Sequence, residues 1–183
     1  MLATLENGDA AEVGIVSNEG LAGLALLLDD EQDDLEGVVQ IPDLAFRIST
    51  EEFRQALDQI PALRYLLHAL VHHGQWHAPQ PATGGTMSTT AARWLLMAHD
   101  RADEDTFQIT HDMLAMTLAV RRAGVMIAAG ALQKAGLIRY ERSRIDIIDR
   151  DRVEAASCSC YGVTRRAQDR LFGLGVGKPP YRR

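Results

Sequence analysis

Hydrophobic positions change their spacing several times along the chain, and each change marks an element. Leu2, Ala3 and Leu5 run into Glu6-Asn7-Gly8-Asp9, and Val13, Ile15 and Val16 follow. Asn-Gly between two such runs predicts a hairpin over residues 1–17, which needs a larger sheet around it because an isolated hairpin is marginal. Residues 18–37 predict a loop and a short helix, apolar from Leu21 to Leu28. Residues 38–41 and 45–48 predict two more strands, the first ended by Pro42. Ser49 or Thr50 then caps a helix with Glu51 and Glu52 in its first turn. Residues 61–72 open on Pro61 and place Leu63, Leu66, Leu67, Leu70 and Val71 on one helical face. Between His73 and Thr90 the period disappears among Gly74, Pro79, Pro81, Gly84 and Gly85, which predicts irregular chain.

The order is clearer in the second half. Residues 91–99 regain a helical pattern. Thr110 is a good N-cap, with Asp112 near the positive end of the helix it starts. Met113, Leu114 and Leu118 continue at helical spacing, and a break near Ala119 and Val120 separates them from a second helix over 121–135. Gly136 ends that helix in the position where a left-handed residue is favoured. Residues 137–140 and 145–148 predict two strands around a turn at 141–144, and residues 149–152 open another short helix. Helix, short turn, helix, hairpin is the layout of a winged helix-turn-helix. From Gly173 the tail is predicted to be loose.

Charge sharpens this division. The 183 residues carry a formal net charge of −6. Residues 1–90 hold 14 acids and 3 bases, whereas 91–183 hold 11 acids and 16 bases. A basic half beside an acidic one points to a polyanion at the basic end. In a helix-turn-helix the second helix enters the DNA major groove by its N-terminal residues, here Arg121, Arg122, Ala123, Gly124 and Met126. Adjacent arginines diverge by about 100° on a helix, so Arg122 is assigned to guanine O6 and N7 and Arg121 to phosphate. Ala123 and Gly124 leave room for the backbone to approach. Arg139, Arg142 and Arg144 on the hairpin form a phosphate-contacting wing, and Thr110 completes the candidate DNA-binding set.

Residues 92–101 (ARWLLMAHDR), 110–115 (THDMLA), 120–125 (VRRAGV) and 129–140 (AGALQKAGLIRY) resemble the Crp/Fnr family of bacterial transcription regulators. Residues 13–24 (VGIVSNEGLAGL) resemble the glycine-marked part of that family's cyclic-nucleotide-binding-like β-roll. The resemblance implies an α+β chain. A partial β-roll (1–60) would lead through a dimerisation helix and linker (61–100, irregular at 73–90) to a winged helix-turn-helix (101–172) and a tail (173–183). It implies a homodimer that acts on double-stranded promoter or operator DNA, with recognition helix 121–135 and RNA polymerase as a further partner. The lack of a signal pattern, of a membrane-length apolar run and of a disulfide framework predicts a cytoplasmic location. The expected alternative is an interaction protein or decayed fragment that pairs with intact relatives and does not bind DNA.

Three departures qualify the resemblance. The roll starts several strands late, so the sensor half is expected to be truncated. The stretch matching the family's phosphate cassette, 23–36 (GLALLLDDEQDDLE), has no Arg and six acids, so a cyclic phosphate would meet repulsion there and no cofactor is expected. The dimerisation helix is interrupted at 73–90, and a shifted reading frame through Trp76–Ser88 would account for that.

Other signals are weak. His68 and His72 have metal-ligand spacing, with His73 and His77 nearby, but no Cys or carboxylate within the cluster completes a site, and no metal is expected. Cys158 and Cys160 are too close for an easy disulfide and read as small thiols, buried or partly buried. The motif patterns of nucleophile elbows, P-loops and zinc hydrolases are absent, so no enzyme is expected. No apolar run reaches the ~18 residues of a membrane span.

Overall fold

The structure, a computed structural model, describes residues 1–172 apart from Leu5, Asn7, Asp9, Asn18, Glu19, Pro42, Asp43, 78–85 and Asp103, and leaves aside the side chains of 73–77 and 172. Helices and two small antiparallel sheets make a mixed fold. In the first sheet β1 (Leu2–Thr4) lies between β2 (Ala10–Glu12) and β3 (Leu35–Glu36). The predicted hairpin is there, with Leu2 opposite Glu12.

Three strand expectations fail. Residues 13–16 lie beyond β2, and Ile15 packs on the main core. Residues 38–41 are not a strand; β3 lies just before them, and Ile41 also packs on the main core. Residues 44–49 carry no strand either, and Leu44 and Phe46 are fully exposed. An alternating pattern without a neighbouring strand to take its hydrogen bonds does not make a sheet.

A 3-10 helix at Leu24–Leu28 leads towards α1 (Thr50–Gln59) and α2 (Pro61–His77). Ser49 closes the start of α1 as a capping box: its Oγ accepts from the Glu52 amide at 3.2 Å, and Glu52 Oε2 accepts from the Ser49 amide at 3.1 Å. Leu27, Phe53, Leu57 and Leu67 form a small core where these three helices meet. The helix expected to stop at 72 continues to His77, so Gly74 does not end it. Chain predicted as irregular up to Thr90 is helical from Met87, because Thr86 caps α3 (Met87–His99). The remainder of that segment, 78–85, and the tail from Gly173 lie outside the described residues.

The main core is built around α3, whose residues Ala91–His99 are all buried. Helices α5 (Arg122–Lys134), α6 (Arg150–Ala156) and α7 (Cys160–Phe172) pack against it. Trp94 meets Phe107 edge to face, with centroids 6.4 Å apart. Phe107 belongs to β4 (Thr106–Gln108), a strand the sequence pattern did not reveal. It pairs with β6 (Arg144–Ile147), which pairs with β5 (Ile138–Glu141).

The acidic first half touches this core through a buried acid. Glu12, only 7% exposed, accepts from Trp94 Nε1 at 3.0 Å and from Gln40 Nε2 at 2.6 Å. Burial holds its carboxyl above the ordinary glutamate range, against the hydrogen bonds from Gln40 and Trp94 that pull it down. Ionisation is therefore harder in the folded chain than in the unfolded one. Stability should fall as pH rises from the ordinary glutamate range through the raised value, and remain lower above it. Glu12→Gln, whose amide can donate to a flipped Gln40, should flatten that slope. Urea unfolding at a series of pH values measures it, and an unchanged slope in the variant rejects the assignment to Glu12.

Candidate nucleic-acid interface

The helix-turn-helix is α4 (His111–Thr117) followed by α5, with the chain bending by 102° between them, inside the range of that motif. The Thr110 side chain accepts from the Met113 amide at 3.1 Å, so it is the N-cap of α4, and it is exposed. The corner turns at Ala119, whose φ of 52° is left-handed. Leu114 on α4 and Val125, Ala128 and Leu132 on α5 are buried and hold the corner together.

Burying that face presents the other. Arg121 is the N-cap residue of α5 and Arg122 its first residue, one position inside the expected start. Arg121, Arg122, Ala123 and Met126 are exposed, and Gly124 is half-buried. A Cβ at Gly124 would sit 3.9 Å from Val120, an ordinary contact, so packing does not demand glycine there. Arg122 Nη1 lies 3.5 Å from Asp112 Oδ1, an ion pair open to solvent on both sides.

The wing is β5 and β6, joined by Arg142 and Ser143, which have φ of 49° and 64°. Two left-handed central residues match the twist of a two-residue hairpin but are normally filled by Asn or Gly. Arg142 therefore stands exposed at the wing tip. Arg144 Nε donates to Asp146 Oδ1 at 2.9 Å, and Arg139 Nη1 lies 3.9 Å from Asp146 Oδ2. A hydrogen bond from Thr106, then the one from Arg144, lowers the Asp146 pKa. Tyr140 fixes the wing to the start of α4: its hydroxyl donates to the Ile109 carbonyl at 2.9 Å, and its ring lies against His111. The fold thus leaves Arg121, Arg122, Ala123 and Met126 exposed at the start of α5, with the three wing arginines also exposed on the packed hairpin.

Ile127 was not among the predicted residues, yet it is 73% exposed beside Met126. Its phase against buried Val125 and Leu132 was the available signal. His68 Nδ1 donates to the Arg64 carbonyl at 2.7 Å. Among the described residues no three His, Cys, Asp or Glu side chains gather as metal ligands. In the matched cassette region the acids do meet a cation, since Arg54 of α1 pairs with Glu31 at 2.8 Å. Cys158 and Cys160 are half-buried, as expected, and burial followed by the neighbouring Cys158 raises the Cys160 pKa. Among the described residues no single helix is long and apolar enough to cross a membrane.

Residues 91–156 match the model of the Crp-like helix-turn-helix domain. A transcriptional regulator of the CRP/FNR family from Thermus thermophilus has a similar structure, with a TM-score of 0.51 and 21% identity over 85% of this chain and 81% of its own. Two more distant matches have a TM-score of 0.40 and 19% identity. One, a CRP-family regulator from the same organism, is covered over 55% of its length by 60% of this chain. The other, from Eubacterium rectale and assigned to the Crp/Fnr family, is covered over 44% of its length by 56% of this chain. A comparison with curated proteins found no match. Residues 91–156 are a Crp-like helix-turn-helix domain, in a chain that has the fold of the Crp/Fnr transcriptional regulators.

Proposed function

We propose that this chain is a DNA-binding transcription regulator of the Crp/Fnr type, with α5 in the major groove and the β5–β6 wing on the phosphate backbone. One observation carries the reading. The N-terminal turn of α5 is exposed with two adjacent arginines, on a scaffold whose hairpin holds three more. Between residues 121 and 152 there are eight bases against four acids, an excess suited to a polyanion. Residues 1–60 would serve as a sensor half, 61–100 as the connecting helical segment, 101–172 as the reader and 173–183 as a tail. A homodimer would present two copies of α5 to half-sites one helical turn apart.

The test is duplex retardation by the full chain across a salt series. Binding should weaken steeply with salt, because each neutralised phosphate releases counterion. Arg142→Ala at the wing tip should weaken binding to every duplex alike and reduce the log–log salt slope by about 1. The Arg142 assignment fails if the variant keeps the parent slope, and the whole reading fails if no duplex is retarded at low salt.

A further inference from the structure

The outward face of α5 is apolar. Its charged side chains stand at its two ends, Arg122 and Lys134. Between them Ala123, Met126, Ile127, Gly130 and Ala131 are all exposed, at the spacing of one helical face. Met126 keeps 56% and Ile127 73% of its surface. Neither helps to hold the fold, because the inward face is filled by Val125, Ala128, Ala129 and Leu132.

The polar capacity of this helix for reading bases is small. Its one amide side chain, Gln133, stands next to the C-terminal residue of the helix, away from the N-terminal turn, and its Oε1 accepts from the Tyr140 amide at 2.8 Å. Arg122 and the N-cap Arg121 are left as the hydrogen-bonding side chains near the N-terminus, where base edges are met, and Arg121 diverges from Arg122 towards the phosphates. An apolar stripe with an arginine pair at its N-terminal end is complementary to one kind of surface, an anionic groove that carries methyl groups. In the major groove that group is the C5-methyl of thymine, which apolar side chains recognise.

We infer that Met126 and Ile127 read thymine methyl groups, next to the guanine contact of Arg122 in the same half-site. The inference rests on the DNA-binding reading above. It assigns sequence preference at thymine positions to two side chains that make no hydrogen bond to a base.

The experiment uses the full chain and a duplex it selects from a randomised pool. That duplex is compared with the same duplex in which every thymine is replaced by deoxyuridine, which lacks the methyl and keeps the pairing pattern. The parent chain should bind the deoxyuridine duplex about fourfold more weakly for each methyl it buries. The double variant Met126→Ala, Ile127→Ala should bind both duplexes equally and retain the parent salt slope. Both side chains are exposed, so the variant should fold, and unfolding by urea verifies that.

Successful selection followed by equal parent affinity for the two duplexes overturns this inference alone. So does a selected site without thymine, or a double variant that changes the oligomeric state and leaves the thymine-to-deoxyuridine ratio intact. Failure to select any duplex at low salt overturns the DNA-binding reading and this inference with it.

Discussion

Asp100→Ala is expected to destabilise the folded chain by about 3 kcal/mol, the cost of leaving one member of a buried ion pair alone. Asp100 ends α3 and accepts from Arg150 Nη2 at the start of α6. Their side chains are 9% and 17% exposed. Tyr161 of α7 completes the group: its hydroxyl donates to Asp100 Oδ2 at 2.9 Å and accepts from Arg150 Nη2 at 2.8 Å. Burial, then the Asp100 carboxylate, pushes the Tyr161 hydroxyl's pKa well above its ordinary value. Burial works against the Arg150 charge, and Asp100 outweighs it. Arg150 Nη1 donates to His99 Nδ1 at 2.5 Å, so Nδ1 carries no proton and Nε2 donates to Asp105 at 2.9 Å. One carboxylate therefore ties α3, α6 and α7 together, and α5 packs on α3. Asp100→Asn, which keeps an acceptor and the shape, should lose less. Urea unfolding measures both, and a loss below about 1 kcal/mol in the alanine variant would show that the pair behaves as a surface salt bridge.

The helix-turn-helix was legible because its signals are local. Thr110 caps one helix, Gly136 follows the other with a φ of 71°, and apolar residues keep the helical period between. The elements that went unread lack such signals for identifiable reasons. Strand β4 is three residues long, too short for alternation to show, and becomes a strand through its pairing with β6. Helix α7 buries Tyr161, Thr164, Ala167, Gln168 and Leu171. Two polar residues on the buried face erase the hydrophobic period a sequence reader looks for. The opposite error occurred at 45–48, where alternation was present and no strand lay alongside to use it. Burial of Glu12 depends on a helix 82 residues away in sequence, and no local pattern carries that. Within the candidate interface the cations were legible, since exposed arginines need only a face. Ile127 was not, because an apolar residue inside a helix reads as core until the phase is set by the neighbours that are buried.

Arg122→Ala is expected to lower affinity for the selected site by about 1–3 kcal/mol per half-site contact and to relax preference at one guanine position. Ala123 follows Arg122, and Arg121 before it diverges by about 100° and is assigned to phosphate, so neither neighbour is placed to take over that guanine. In the free chain Arg122 leans 3.5 Å from Asp112, with the side chains 61% and 72% exposed. A pair that open to water is worth little, so giving it up for a base should cost little. Arg122→Lys separates charge from geometry: lysine keeps the cation but not the planar fork that meets O6 and N7 together. It should hold the affinity for random duplex and still lose most of the preference for the selected site. Arg142→Ala should do the reverse and weaken both duplexes by one factor. If Arg122→Ala also weakens the selected and random duplexes by one factor, Arg122 contacts phosphate, and specificity then falls to Met126, Ile127 and the shape of the DNA.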